Sequence, residues 1–103
     1  MPISGPDVLL YEKRDRIVTM TLNRPERLNA LSVELWLKLA QAFEAFRNDE
    51  DAWVLILTGA GDRAFSTGFD LIDQAQRDAR GLGTPRLPPL HNLQIWKPMI
   101  AAI

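Results

Sequence analysis

An α/β fold built on a parallel sheet is what this 103-residue chain predicts. Two observations carry that expectation. Trp53-Val54-Leu55-Ile56-Leu57-Thr58 runs through apolar residues without polar alternation, and such a strand is covered on both faces, as parallel strands are. Ahead of it stand a β-branched run and then an amphipathic helix. Strand, helix, buried strand is the order of a βαβ unit with a right-handed crossover.

The elements follow in order. Val8 to Glu12 is a short apolar stretch broken by Lys13-Arg14-Asp15-Arg16, and Ile17 to Leu22 alternates Thr19 and Thr21 against Val18, Met20 and Leu22. That pattern reads as a β-hairpin with a charged turn and one buried face. Arg24 precedes Pro25, which pushes it to extended geometry and ends the strand. A helix is expected over about Val33 to Arg47, with Ser32 as N-cap and Leu31 and Trp36 at the spacing of a hydrophobic staple. Its apolar stripe is Trp36, Leu39, Ala40, Phe43 and Phe46, and Glu34, Lys38, Gln41 and Glu44 lie off it. A second helix is expected from Asp70 to Arg80, capped by Asp70 with Asp73 in its first turn. Gly81 to Pro89 holds two glycines and three prolines and reads as loop. Leu90 to Trp96 reads as a short helix, and Met99 to Ile103 opens another apolar strand. Those five final residues have no turn or cap after them. An apolar edge of that kind is expected to be covered, either by a partner or by more of the same chain.

Composition narrows the function classes. Apolar residues make up 47 % of the chain, enough for a packed core. A net charge of −1 with interspersed signs gives no nucleic-acid footprint. There is no cysteine, so no disulfide framework or thiolate site, and one histidine is too few for a His-based metal cluster. No apolar run approaches the ~20 residues of a membrane span, and the first residues show no secretory signal pattern. A cytoplasmic protein with no nucleic-acid or membrane partner and no metal is the expectation.

The candidate chemistry lies in Ser66-Thr67-Gly68-Phe69-Asp70, just before the second helix. A helix N-terminus carries unpaired N–H groups and partial positive charge. Gly68 can adopt positive φ and offers no side chain to block a ligand. Such a turn can aim the Phe69 N–H at a polarised oxygen, where one well-placed donor is worth about 3–4 kcal/mol to a developing oxyanion. The same residues can equally form a helix cap with no ligand. Asp62, Asp70, Asp73, Asp78 and His91 are acid–base candidates by type. Asp70 is better read as a cap, and the others as polar surface. Trp36, Trp53 and Trp96 read as core or interface packing.

The whole pattern is more specific than the turn. LNRPERLNALS, a helix, WVLILTGAGDRAFSTGFDL, a long loop and IWKPMIAAI closely resemble the enoyl-CoA hydratase/isomerase, or crotonase, family, in its order and spacing from about Tyr11 to Ile103. The resemblance implies a crotonase-like ββαβ spiral core, with residues 1–103 as the N-terminal part of the domain and a sheet left incomplete at its C-terminal end. It implies that Arg27, Leu28 and Ala30 lie along the nucleotide and pantetheine of coenzyme A, with Arg24 and Arg27 able to attract its phosphates.

Ser66 to Leu71 matches the family's A-G-A-D-L motif. Thr67, Gly68, Asp70 and Leu71 would flank the substrate, and Phe69 would give one of two backbone N–H groups that bind the thioester oxygen. A small residue is usual there, and the resemblance implies that phenylalanine would leave the N–H intact while narrowing or redirecting the acyl pocket. The second donor would come from a glycine-rich turn after the strand that starts at Met99, and the hydratases' catalytic carboxylates lie further on. The function so implied is acyl-CoA binding and enolate stabilisation, as part of a 2-enoyl-CoA hydratase or isomerase. Coenzyme A thioester is then the substrate, no cofactor is needed, and assembly is into trimers or pairs of trimers. The other class left open is a non-catalytic CoA-binding or oligomerisation module lacking the acid–base residues.

Overall fold

The computed structural model describes residues 7–83 and 94–103. Among them four strands form one sheet in the order β1-β2-β3-β4. β1 (Leu9–Arg14) and β2 (Ile17–Leu22) are an antiparallel hairpin, β3 (Val54–Gly59) lies parallel to β2, and β4 (Met99–Ala102) lies parallel to β3. The hairpin turn is the pair Asp15-Arg16, both at positive φ (48° and 70°), the backbone of a two-residue type I′ turn. The expected crossover is present: α1 (Val33–Asn48) joins β2 to β3, and α2 (Leu71–Ala79) follows β3.

The pairing register decides which side chains share a face. Val18 stands opposite Leu55 and Met20 opposite Leu57, while Leu9 stands opposite Leu22. Leu9, Val18, Met20, Leu22 and Leu55 form the sheet side of the core, and Leu35, Leu39, Ala42 and Phe46 of α1 form the helix side. Burying each large apolar side chain is worth about 1.5–3 kcal/mol.

The buried stripe of α1 is therefore rotated from the expected one. Leu35 and Ala42 are buried, while Trp36 and Phe43 are only half-buried. The sheet takes the side of the helix that packs closest, and the bulkier aromatics fall at its margin. Ser32 caps the helix as expected, accepting from the Leu35 N–H at 3.2 Å. At its other end the Lys97 ammonium donates to the Phe46 and Asp49 carbonyls, both at 2.7 Å, and lies over the Phe46 ring. A cation there complements the helix dipole.

Two expectations are corrected. Trp53 precedes β3 rather than opening it and is 56 % exposed, with the Arg16 guanidinium 4.4 Å above its ring; Trp96 is 92 % exposed. Of the two readings, core and interface packing, the core one is excluded for both tryptophans. The second face of β3 is less covered than its unbroken apolarity predicts, because among the described residues Val54 and Ile56 are only half-buried. Residues 84–93 lie outside the described residues. They include most of the proline-rich loop, His91 and most of the helix expected over Leu90–Trp96; the described remainder, Gln94 to Trp96, is not helical.

Candidate functional site

Two segments distant in sequence meet beyond the C-terminal ends of β2 and β3. The first begins where β2 ends. Pro25-Glu26-Arg27 form a single 3₁₀ turn, with proline at a position where a missing N–H costs nothing. Leu28 and Asn29 then take consecutive left-handed conformations, φ 54° and 55°, and the chain enters Ala30, Leu31 and Ser32. The second segment is Ser66 to Asp70, leading into α2. Leu31 and Phe69 form a parallel bridge between the two.

That bridge sets the direction of every polar group at Phe69. The Leu31 N–H donates to the Gly68 carbonyl at 2.6 Å, and the Leu31 carbonyl accepts from the Asp70 N–H at 2.9 Å. A trans peptide points its N–H opposite its C=O. The Gly68 C=O and the Phe69 N–H share one peptide, so the Phe69 N–H points away from Leu31. Among the described residues nothing accepts from it. Gly68 makes the turn with φ +90°. A Cβ there would meet nothing within 4 Å, so the requirement at this position is conformational rather than steric.

Asp70 is the N-cap of α2, as expected. Its Oδ1 accepts from the Asp73 N–H at 2.9 Å, and its Oδ2 accepts from Arg24 Nη1 at 2.9 Å, with Arg27 Nη2 3.9 Å from Oδ1. Burial works to raise the Asp70 carboxyl, but the Asp73 N–H and the two guanidinium groups outweigh it and hold it below the ordinary carboxylate range. Arg24 is thus committed to Asp70 and to the Ala30 carbonyl, rather than standing free for a phosphate. Arg27 is the more exposed of the two.

Sequence reasoning missed the residue that ties the site together. Asn29 is fully buried and uses every polar atom it has. Its Oδ1 accepts from the Arg24 N–H at 2.9 Å, and its Nδ2 donates to the Ala60 and Ala64 carbonyls at 3.0 and 2.9 Å. Its own carbonyl accepts from the Ser66 hydroxyl at 2.8 Å, and that hydroxyl accepts from the Gly68 N–H at 3.1 Å. The loop after β2 and the loop after β3 are therefore pinned together through this one residue. The available signal was an asparagine between Leu28 and Ala30-Leu31, since asparagine is among the few residues that tolerate the left-handed region. Gly59 belongs to the same packing: a Cβ there would lie 2.4 Å from the Phe65 carbonyl oxygen and 2.7 Å from Asn29 Nδ2.

The other candidate residues fall around this frame. Ala30 is buried, and its carbonyl accepts from Arg24. Leu28 is half-buried and lines a small cavity with Pro25, Asn29, Ala60 and Gly61. Thr67 is exposed and Leu71 is 75 % exposed, both on the open side of the turn. A larger cavity of about 540 Å³ opens at the C-terminal ends of β3 and β4, between Thr58, Phe65 and Ala102, which is where ligands sit in open α/β sheets. Phe69 does not line it. Of the acid–base candidates, Asp73 accepts from the Val33 N–H at 3.1 Å and caps α1, and Asp78 accepts from the Gln74 side chain at 2.9 Å. Asp62 lines the larger cavity from an exposed loop. Among the described residues no helix is long and apolar enough to cross a membrane.

Comparison with known proteins bears on the whole arrangement. The family model for enoyl-CoA hydratase/isomerase matches residues 12–103. The chain is 35 % identical over 96 residues to the (E)-benzylidenesuccinyl-CoA hydratase of Thauera aromatica, a match covering 89 % of this chain and 37 % of that protein. It is 37 % identical over 107 residues to the enoyl-CoA hydratase EchA19 of Mycobacterium tuberculosis, covering 97 % of this chain and 40 % of that one. The crystal structure of an enoyl-CoA hydratase from Mycobacterium avium superposes with a TM-score of 0.75 at 34 % identity, over 94 % of this chain and 38 % of the other. The chain thus spans about two fifths of the length of the relatives it matches. Its sheet, its crossover helix and the paired segments around Leu31 and Phe69 are those of a chain that belongs to the enoyl-CoA hydratase/isomerase family.

Proposed function

We propose that this chain binds an acyl-CoA thioester and supplies one of the two donors that stabilise its enolate, as part of an enzyme that hydrates or isomerises 2-enoyl-CoA substrates. The observation that carries the reading is the Phe69 N–H, oriented by Leu31 and without an acceptor among the described residues. In hydration, the oxygen of water bonds to the β-carbon and a proton reaches the α-carbon, while negative charge passes through the thioester oxygen. A backbone donor aimed at that oxygen stabilises the transition state more than the ground state, by about 3–4 kcal/mol for one donor. Such a donor does not titrate and carries no side-chain entropy.

In this reading Arg27, Leu28 and Ala30 run beside the coenzyme A moiety, with the exposed Arg27 meeting its phosphates. Thr67, Gly68 and Leu71 border the acyl group, and the Phe69 side chain limits its width. Asp70 acts from behind, as the cap that fixes the turn. No acid–base role is given to Asp62, Asp70, Asp73 or Asp78. The thioester is the substrate, and no further cofactor is required of these residues.

Calorimetric titration with crotonyl-CoA tests this directly. Saturable binding, weakened when Arg27 is replaced by alanine, is the expected result. Absence of binding at any accessible concentration contradicts the reading. Hydration of crotonyl-CoA by the chain alone would contradict the non-catalytic assignment of its four candidate aspartates.

A further inference from the structure

We propose that Arg24 is a positioning residue for the Phe69 amide, acting through a clasp that closes the Leu31–Phe69 bridge. The inference rests on the oxyanion-donor reading above and goes beyond it by naming the side chain that aligns the donor. Arg24 Nη1 reaches two acceptors. One is the Ala30 carbonyl, immediately before Leu31; the other is Asp70 Oδ2, immediately after Phe69. One nitrogen therefore ties both segments beside the only two backbone rungs between them among the described residues, Leu31 N–H to Gly68 C=O and Asp70 N–H to Leu31 C=O.

The Ser66 hydroxyl, bonded to the Asn29 carbonyl, ties the two segments ahead of the rungs, and the clasp ties them at the Asp70 end. The Phe69 N–H shares its peptide plane with the Gly68 carbonyl, so a twist of the bridge turns the donor with it. The clasp is shielded from water: the Arg24 side chain is 13 % exposed and that of Asp70 4 % exposed. A charge-assisted bond in such a place holds geometry more firmly than a solvated pair. Arg24 is itself anchored, because its N–H donates to Asn29 Oδ1.

The test compares binding of butyryl-CoA with binding of butyl-CoA, the thioether that lacks the carbonyl. Their ratio of dissociation constants isolates the oxygen that the donor meets. In the unaltered chain the thioester binds more tightly. In Arg24→Gln and in Asp70→Asn that preference falls severalfold, toward equality, within the about tenfold that one neutral hydrogen bond to a ground-state carbonyl contributes. Asp70→Asn keeps the helix cap, because asparagine caps as well as aspartate, so it remains informative if Arg24→Gln folds poorly. The double variant is no worse than the worse single one, as expected for two halves of one contact.

A merely structural role would weaken both ligands equally. An unchanged ratio in the two folded variants overturns the proposal. If the unaltered chain binds both ligands alike, the donor reading itself fails. The clasp is then judged on the ligand-free Phe69 amide resonance, which must shift in both variants if Arg24 sets its geometry; no shift overturns it.

Discussion

Leu31 holds Phe69 from one side only. Its N–H bonds the carbonyl before Phe69 and its carbonyl bonds the N–H after it, so both backbone polar groups of Phe69 face the other way. A donor produced like this is stiff. Peptide planarity and two backbone bonds set its direction, and the Arg24 clasp on Ala30 and Asp70 holds that bridge in place.

Asn29 is expected to be the most sensitive polar residue of the chain. Replacement by alanine strands the Ala60 and Ala64 carbonyls and the Arg24 N–H, and leaves a less tolerant residue at φ 55°. A loss of about 2–4 kcal/mol follows from the unpaired buried groups. Urea unfolding measures it, and a loss within ~0.5 kcal/mol would show that these bonds do not hold the loops.

Gly59 and Gly68 are expected to fail for different reasons. Gly59→Ala forces a Cβ against the Phe65 carbonyl and Asn29 and costs about 2–3 kcal/mol through displaced backbone. Gly68→Ala meets open space, and only its positive φ resists, at about 1–2 kcal/mol. Urea midpoints for the two variants should rank in that order. The reverse ranking would contradict the close packing at Gly59.

Acid stability should carry a signature of Asp70. Its folded-state pKa lies below the ordinary 3.8, so its ionised form stabilises the fold above 3.8, and that contribution is lost as pH falls through the lowered folded value. Asp7, held down by its bond from Lys38, and Asp49, held down by Lys13, share the acid slope. Comparison with Asp70→Asn isolates the one group. The stability gap between the two proteins should be widest at neutral pH and close in acid. A gap that is constant with pH would mean that the Arg24–Asp70 pair does not depend on charge.

The exposed sheet edge should associate. Among the described residues β4 is an edge strand, Met99 and Ile100 are about half exposed, and Ile100 shares a sheet face with Ile17 and Val54. Sedimentation should show concentration-dependent association that Ile100→Lys reduces. A monomer at all concentrations would contradict this.

Much of this was legible in the sequence because it is local. Ser32 and Asp70 announce their caps, the unbroken apolar run of β3 announces a parallel strand, and the charged tetrapeptide after Glu12 announces the hairpin turn. What was not legible depends on partners far along the chain. Leu35 and Ala42 displace Trp36 and Phe43 from the core because the sheet, not residue size, selects the buried stripe. The role of Asn29 arises from carbonyls 31 and 35 positions away. Arg24 reads as an exposed phosphate ligand until Asp70, 46 positions later, is placed against it. The second face of β3 looked covered because its residues are apolar, but apolarity records what a face requires rather than what lies on it.

The Phe69 amide proton is the group that should meet the thioester oxygen, and a nitrogen–proton correlation spectrum reads it directly. On titration with butyryl-CoA the Phe69 amide should move downfield and saturate together with resonances of Arg27 and Leu28, as a donor taking up a thioester oxygen does. Binding that shifts the Arg27 and Leu28 signals while leaving the Phe69 amide unmoved would contradict the account.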